Sequence, residues 1–303
     1  MNVSIVSPIE LKLLLESTNT VTVIDARDPA DYVLGHIPGA VSINWEDWNV
    51  RPPQNLGLSL DLSEPGYWGR LANPWQTNVE ARLSALGLEN NKPALVYADA
   101  LRSKGREGRV AWMLLYFGVK NVMLLNGGWS AWLTAGGEAE IGTGATHKDS
   151  RSVPKKTHFQ LLLDPRRKMS CEALARRWQA QDMPELIDTR SIEEFRGESY
   201  DYQPRPGRLP NARFFDYTKM FDEEANGAFA GQRTFVPNHA EVRAQAHSSL
   251  SPGCANAVAY CEVGVRAALY ALLHEVYTGE IMPVFDGSIM EWSAHKALPV
   301  IGD

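Results

Sequence analysis

The stretch VAYCEVGVR, at residues 258–266, runs from a short apolar segment through a turn with one glycine toward an apolar helical pattern. Residues 257–260 have the length and character of a buried strand, and residues 267–277 have those of a buried helix. A buried strand that leads directly into a helix is typical of the parallel sheets of α/β proteins. The stretch therefore predicts an α/β fold and puts Cys261 at the carboxyl end of a strand, where such sheets bind ligands.

The same pattern occurs earlier in the chain, because the sequence repeats itself at an offset close to 163 residues. Five pairs of segments keep the same order in both halves, which indicates a duplicated domain. They pair residues 7–11 with 170–174, 23–27 with 186–190, 35–40 with 207–212, 95–97 with 258–260, and 126–132 with 286–292. The offset of the third pair is 172 residues, so the second half carries nine more residues there, which we assign to a loop around residues 197–206.

Short β-branched runs alternate with helical patterns in each half, which predicts a parallel sheet flanked by helices on both faces. We predict two such domains in tandem, over residues 1–141 and 169–303, joined by a polar linker over residues 142–168. The predicted strands are 21–24, 94–97, 121–125, 185–187, 257–260 and 283–285, and the predicted helices are 80–86, 110–117 and 267–277.

Length and composition narrow the class of protein. The 303 residues are about twice the usual span of one α/β domain, which fits two domains. An apolar content of 44% and a net charge of -6 argue against a disordered chain and against a nucleic-acid partner. No apolar run is long enough for a membrane span, and the N-terminus has no basic leader segment, so we expect a cytoplasmic protein without a membrane partner.

The chain has three cysteines, Cys171, Cys254 and Cys261, a set too small and too scattered for a disulfide framework or a zinc site. We therefore expect a single reactive thiol, with neither a metal nor another cofactor. Cys261 is the candidate, because a tight loop before a helix turns backbone N–H groups toward one point and stabilises a thiolate there. Cys171 and Cys254 are expected to be small buried side chains, although Cys254 has the alternative role of a resolving thiol.

Several motifs of the chain resemble those of the rhodanese family of sulfurtransferases, and the resemblance covers nearly the whole chain. The motifs that carry it are Asp25-Ala26-Arg27 with residues 35–40, the late segments 126–129 and 286–288 with Glu291-Trp292, and the cysteine that opens a short loop. The resemblance implies two tandem rhodanese-like domains, of which the second is catalytic. Because the offset of 163 residues puts Ala98 opposite Cys261, the first domain is expected to lack the nucleophile.

The resemblance also implies a two-step transfer of a sulfane sulfur through a persulfide of Cys261. The donor would be a small anion, either thiosulfate, which we favour, or 3-mercaptopyruvate. The acceptor would be cyanide or another thiophile, such as a thiol, a thioredoxin-like protein or another protein. The groups expected to stabilise the thiolate and the persulfide are the backbone N–H groups of Glu262, Val263, Gly264, Val265 and Arg266.

The candidate donor-binding side chains are Arg266 in the loop and Arg190, Arg196 and Arg205 early in the second domain. The family commonly places arginines in that early part, but Glu194 stands at a position where it often has one. A structural ion pair with Asp188 is the alternative for Arg190, and a solvated surface charge is the alternative for Arg196 and Arg205. His36 lies in a turn that the family keeps in catalytic and non-catalytic domains alike, so we assign it no catalytic role.

Two other functions would use the same cysteine. Cys261 and Arg266 are separated by four residues, one fewer than in the phosphate-binding loop of cysteine phosphatases. The smaller ring fits a single sulfur better than a phosphate, so the phosphatase hypothesis ranks last. A persulfide carrier that delivers sulfur to a protein acceptor shares its first step with an enzyme, and the sequence leaves that alternative open.

Overall fold

The computed structural model describes residues 2–17, 21–50, 69–142, 157–199, 203–223, 233–235 and 257–302. The chain forms two compact units: unit 1 comprises residues 1–47, 78–164 and 219–237, and unit 2 comprises residues 48–77, 165–218 and 238–303. Each unit thus includes a segment from the other half of the sequence, whereas the predicted domains were contiguous ranges. Residues 143–156 of the predicted linker, and Cys254 with its predicted roles, lie outside the described residues.

Unit 1 contains a five-stranded sheet with helices packed on it. Its strands are β1 (Val3–Val6), β2 (Thr22–Asp25), β3 (Val41–Ser42), β4 (Ala94–Tyr97) and β5 (Val122–Leu125). Its helices are α1 (Pro8–Glu16), α2 (Pro29–Leu34), α3 (Val79–Ala85), α4 (Arg106–Phe117) and α5 (Gly128–Thr134). The strand order is β1-β5-β4-β2-β3, and every pair is parallel. All four residues of both β2 and β4 are buried, as expected of strands that are covered on both faces.

Unit 2 repeats this arrangement. Its strands are β6 (Lys168–Met169), β7 (Leu186–Asp188), β8 (Ala212–Phe214), β11 (Val258–Tyr260) and β12 (Val284–Phe285). Its helices are α6 (Cys171–Gln179), α7 (Ile192–Arg196), α8 (Val265–Thr278) and α9 (Ser288–Ala294). The strand order β6-β12-β11-β7-β8 matches that of unit 1 strand for strand, and all pairs are parallel. The predicted α/β class with two parallel sheets is therefore confirmed.

A two-stranded antiparallel sheet was not predicted. It pairs β9 (Phe221–Glu223) with β10 (Arg233–Phe235), in the part of the second half that belongs to unit 1. The N–H of Phe235 donates to Oδ1 of Asn126 at 2.7 Å, which attaches this hairpin to the rest of unit 1.

The helices begin at the capping residues that the sequence provides. Ser7 and Glu10 form a reciprocal capping box at the start of α1, and Ser170 accepts the N–H of Ala173 at the start of α6. A glycine in the left-handed conformation, Gly118 with φ 113°, follows the last residue of α4. Over the described ranges, none of the helices combines the length and the apolar character that crossing a membrane requires.

The two cores are built from equivalent residues of the repeat. In unit 1 the buried cluster includes Leu11, Ile37, Leu95, Tyr97, Leu125 and Trp132. In unit 2 the corresponding residues are Leu174, Leu209, Val258, Tyr260, Phe285 and Trp292. Each replacement between the two sets is apolar for apolar or aromatic for aromatic, which explains how one packing scheme survives in two diverged sequences.

A buried carboxylate joins three parts of each unit. In unit 1, Asp25 accepts hydrogen bonds from the Arg27 guanidinium at 2.6 Å and from Oη of Tyr97 at 2.7 Å. The Tyr97 hydroxyl in turn accepts the N–H of Ile37 at 3.0 Å. The same three bonds recur in unit 2 at Asp188. The motif Asp-x-Arg is therefore part of the frame of both units.

Glu107 gives a test of burial in unit 1. Desolvation raises the pKa of its carboxyl from the ordinary 4.5 to about 8, so stability that is full below pH 4.5 is lost as the pH rises through 8. When the pH is raised from 5 to 9, we expect the free energy of unfolding of the wild type to fall by on the order of 3 kcal/mol more than that of Glu107→Gln, which carries no titratable group there. Urea unfolding at several pH values measures this difference. Glu89→Gln, at an exposed carboxylate, is the control and should show no comparable trend.

Candidate functional site

Cys261 follows β11, the central strand of the unit 2 sheet, and opens the loop that leads into α8. The loop consists of four residues, 261–264, and Gly264 adopts the left-handed conformation with φ 78° that favours glycine. α8 begins at Val265, two residues before the start predicted from the sequence. The turn is therefore tight, and the N-terminus of a helix of 14 residues follows it directly.

The N-terminus of α9 fixes the backbone around Cys261, which is only 1% exposed. The N–H of Cys261 donates to Oγ of Ser288 at 3.1 Å, and this hydroxyl donates to the carbonyl of Phe285 at 2.8 Å. The carbonyls of Cys261 and Glu262 accept the N–H groups of residues 289 and 290 at 3.2 and 3.3 Å. These bonds commit the first two carbonyl oxygens of the loop to α9.

The N–H groups that follow in the loop are available as donors. Val263, Gly264 and Val265 have no hydrogen-bond acceptor for their N–H groups within the part of the chain that is described. Carbonyls held by α9 and unused N–H groups beside a helix N-terminus are the features of an anion-binding loop. That this loop stabilises a thiolate or a persulfide at Cys261 stays a prediction.

The equivalent loop of unit 1 has a different form. Ala98 follows β4, and its carbonyl accepts the N–H of Trp129 at 2.8 Å, as the carbonyl of Cys261 accepts that of Ile289. The structure therefore places Ala98 at the position of Cys261. The connection to α4 spans the eight residues 98–105, with a turn of 3₁₀ helix over Ala100–Ser103. Unit 1 has neither the thiol nor the short loop.

The structure brings two of the residues singled out from the sequence together. The guanidinium of Arg266 donates from Nη1 to Oε2 of Glu194 at 2.7 Å and from Nη2 to Oε1 at 2.8 Å. Oε2 of Glu262 lies 3.5 Å from Nη2, and the ring centroid of Tyr217 lies 5.6 Å from the guanidinium carbon. Arg266 is thus engaged by carboxylates, and its predicted role in donor binding stays a prediction.

Arg190 is a structural residue in this arrangement. Its side chain is fully buried and forms a two-bond pair with Asp188, with Nε–Oδ1 at 2.9 Å and Nη2–Oδ2 at 2.7 Å. It also donates to Oε1 of Gln203 at 2.6 Å and to the carbonyl of Gly207 at 2.9 Å. The alternative considered from the sequence, an ion pair with Asp188, is what the structure shows. The predicted contact of Arg190 with a donor stays a prediction.

The other two predicted arginines lie elsewhere in unit 2. Arg205 donates to the carbonyls of Ser293, His295 and Leu298 at 2.7 to 2.9 Å, and so holds the C-terminal end of α9. Desolvation lowers the pKa of Arg205. Arg196 is the last residue of α7 and is exposed. The predicted roles of Arg196 and Arg205 in binding a donor stay predictions.

Residues 69–71, from the first half of the sequence, lie against the Cys261 loop within unit 2. Gly69 has φ 74°, and a Cβ atom at this position would stand 2.3 Å from the carbonyl oxygen of Val263 and 2.7 Å from that of Asp286. The N–H of Leu71 donates to Oδ2 of Asp286 at 2.8 Å. Sequence reasoning missed this segment, because no motif marks it and its partners are about two hundred residues away in the chain.

Charged side chains surround the start of α9. Asp286 accepts Nζ of Lys168 at 2.7 Å, and Oε1 of Glu291 accepts Nη1 of Arg70 at 2.9 Å. Burial raises the pKa of Glu291 to about 7, and the positive charge of Arg70 opposes that shift. The residues of the late motif 286–292 therefore support the loop through α9.

One group of side chains in the described part of the chain has the spacing of metal ligands. The candidate ligand atoms of Cys171, Glu291 and His295 lie within 4.8 Å of one another. However, Glu291 already pairs with Arg70, and burial raises the pKa of the Cys171 thiol, which opposes the thiolate that a metal would need. Cys171 is buried in the core, as predicted. We assign no metal to this group.

His36 and its counterpart hold turns. The buried ring of His36 stacks on Tyr32, with centroids 3.8 Å apart, and its Nδ1 lies 2.9 Å from the carbonyl of that residue. In unit 2, Arg208 stands at the equivalent position, with its guanidinium carbon 4.4 Å from the ring centroid of Phe195. Both side chains pack inside their own unit, which supports the structural role given to His36.

Residues 7–135 match the family model of the rhodanese-like domain. The chain is 27% identical to SseB of Mycobacterium tuberculosis, which is named as a thiosulfate sulfurtransferase, over 98% of this chain and 96% of that protein. It is also 27% identical to the thiosulfate sulfurtransferase of Corynebacterium glutamicum, over 98% of this chain and 89% of that protein. The solved 3-mercaptopyruvate sulfurtransferase from Leishmania major has a TM-score of 0.75 at 20% identity, over 99% of this chain and 76% of that chain, which shows a common fold.

Gly69 provides a test of the contact between residues 69–71 and the loop. Gly69→Ala would push a methyl group into two backbone carbonyls, so we expect a loss of roughly 2–4 kcal/mol in the free energy of unfolding of unit 2. We also expect a changed rate of alkylation of Cys261 by iodoacetamide, because Val263 lies in its loop.

The matched control is Gly279→Ala. Gly279 has a similar φ of 79°, but a Cβ atom there meets nothing within 4 Å. Its substitution should cost only the backbone strain, about 1–2 kcal/mol, and should leave alkylation unchanged. Equal effects of the two substitutions in urea unfolding and in alkylation would show that the carbonyl contacts of Gly69 do not matter.

Proposed function

Because the chain belongs to the rhodanese family, we propose that it is a sulfurtransferase that carries a sulfane sulfur as a persulfide of Cys261. The names of relatives that match along its whole length, from Mycobacterium tuberculosis and Corynebacterium glutamicum, support the reaction class. Within unit 2, the position of Cys261 supports its assignment as the nucleophile.

One observation carries the proposal. Cys261 stands between the central strand and a helix N-terminus, and the N–H groups of Val263, Gly264 and Val265 have no acceptor in the described structure. A persulfide, like a thiolate, is an anion whose charge is localised on one sulfur. Preorganised N–H donors at that point stabilise both anions without reorganisation during the reaction.

The proposed chemistry has two displacement steps. In the first, the Cys261 thiolate attacks the sulfur that the donor gives up, which is the outer sulfur of thiosulfate or the thiol sulfur of 3-mercaptopyruvate, and a new sulfur–sulfur bond forms. The bond between that sulfur and the rest of the donor breaks and its electron pair leaves with the rest, as sulfite from thiosulfate or as the enolate of pyruvate from 3-mercaptopyruvate. In the second step, a nucleophile such as cyanide takes the outer sulfur, and the Cys261 thiolate is restored.

Thiosulfate and 3-mercaptopyruvate are both donors to be tested. Thiosulfate is the donor in the names of the curated relatives. The acceptor is cyanide in an assay and a thiol, a thioredoxin-like protein or another protein in the cell. A persulfide carrier would share the first step and differ in requiring a protein acceptor for the second.

A phosphatase function receives less support. Four residues separate Cys261 from Arg266, and the guanidinium that would clamp a phosphate forms its two-bond pair with Glu194. A phosphate has three oxygens to be held, whereas a sulfane sulfur needs only the donors close to Cys261.

Intact-mass measurement tests the proposal directly. Protein incubated with thiosulfate or 3-mercaptopyruvate should gain the mass of one sulfur, and cyanide should remove it and yield thiocyanate. Cys261→Ser should gain none, because an alcohol cannot form the persulfide. A folded wild-type protein that gains no sulfur from either donor would refute the proposal.

The control for a non-specific reaction of thiols is Cys171→Ala. Cys171 is buried in the core of unit 2, and burial raises the pKa of its thiol. The variant should therefore gain one sulfur as the wild type does. If the folded variant gained no sulfur, the reactive thiol would be Cys171, and the assignment of the persulfide to Cys261 would be wrong.

A further inference from the structure

The first turn of α8 carries one cation, Arg266, and carboxylates surround it. Glu194 binds it through two hydrogen bonds, and Glu262 lies 3.5 Å from Nη2. Arg266 is 12% exposed at its side chain and Glu194 is 10% exposed, so solvent screens this pair only weakly. Two carboxylates thus lie close to one guanidinium beside the Cys261 loop.

The pair is fixed before any donor binds, because Glu194 is held by its own helix. Oε2 of Glu194 accepts the N–H of Ser191 at 2.8 Å, and Oγ of Ser191 accepts the N–H of Glu194 at 3.2 Å, which forms a capping box at the start of α7. The ring of Tyr217 lies beside the guanidinium of Arg266, 5.6 Å from its carbon. An incoming anion would therefore have to displace an anchored carboxylate to bind Arg266.

We infer that Glu194 is a specificity-determining residue that disfavours dianionic sulfur donors relative to monoanionic ones at Cys261. The inference rests on the proposed function and names the donor class of the same site. Thiosulfate carries two negative charges at neutral pH, and 3-mercaptopyruvate carries one. The carboxylates of Glu194 and Glu262 repel the first more strongly, while the N–H groups of the loop serve either donor.

Two of the other arginines predicted near the site have partners of their own. Arg190 is buried against Asp188, and Arg205 holds three carbonyls at the end of α9. Arg266, the arginine nearest to Cys261 in the sequence, is paired with Glu194. Donor recognition by charge is then controlled by Glu194 rather than by Arg266 alone.

Steady-state kinetics with both donors and cyanide as acceptor test the inference. Glu194→Gln keeps the shape of the side chain and an oxygen for the helix cap but removes the charge. We expect kcat/KM for thiosulfate to rise about tenfold, mainly through a lower KM, and kcat/KM for 3-mercaptopyruvate to change less than about threefold. The measured quantity is the ratio of the two kcat/KM values.

Two further variants sharpen the result. Glu193→Gln removes an exposed charge from the adjacent position on α7 and should leave the ratio of the two donors unchanged. Glu262→Gln removes the second carboxylate without touching the helix cap, and should move the ratio in the same direction as Glu194→Gln by a smaller factor. This variant keeps the inference testable if Glu194→Gln fails to fold.

The outcomes separate the inference from the proposed function. If the wild type is loaded with sulfur and Glu194→Gln changes the donor ratio no more than Glu193→Gln does, the inference is wrong while the proposed function stands. If no variant is loaded by either donor, the proposed function itself fails. A fall in the thiosulfate value of folded Glu194→Gln would also overturn the inference, because it would show that the pair assists the dianion.

Discussion

A buried carboxylate at the end of a strand is the constraint on which the site depends. Oδ2 of Asp188 accepts the Tyr260 hydroxyl at 2.6 Å and the Arg190 guanidinium at 2.7 Å, and the Tyr260 hydroxyl accepts the N–H of Leu209 at 3.2 Å. Loss of one partner from such a buried pair costs about 3–5 kcal/mol, because the remaining charge is left without compensation. Tyr260 is therefore fixed, and Cys261 is the next residue in the chain.

The same frame in unit 1 supports a different loop, so the frame alone does not confer the chemistry. Asp25 and Tyr97 repeat the hydrogen bond of Asp188 and Tyr260. However, Ala98 is the residue after Tyr97, and the connection from β4 to α4 has eight residues. The second residue of α4 is Glu107, whose pKa burial raises, whereas the second residue of α8 is Arg266. Duplication thus preserved the core, and the loop after the central strand diverged.

The sequence predicted what depends on local pattern and repetition. The six predicted strands, their parallel pairing and the loop after β11 follow from periodicity and from the five matched segments, since both halves have to bury the same faces. The pairing of Arg266 with Glu194 joins side chains 72 residues apart, and the contact of Gly69 with Val263 joins segments from the two halves of the chain. Neither has a local signature, so only the folded chain reveals them.

The charge pairs also explain why the candidate arginines bind such different partners. An arginine beside a buried aspartate, such as Arg190, must satisfy that carboxylate first, because an unpaired charge in the interior is costly. Arg266 lies at a helix start, where its partner Glu194 is itself held by a helix cap. In the proposed function, the short-range stabilisation of a charged sulfur would therefore come from backbone N–H groups, which carry no net charge, and the side-chain charges would be left to discriminate among donors at longer range.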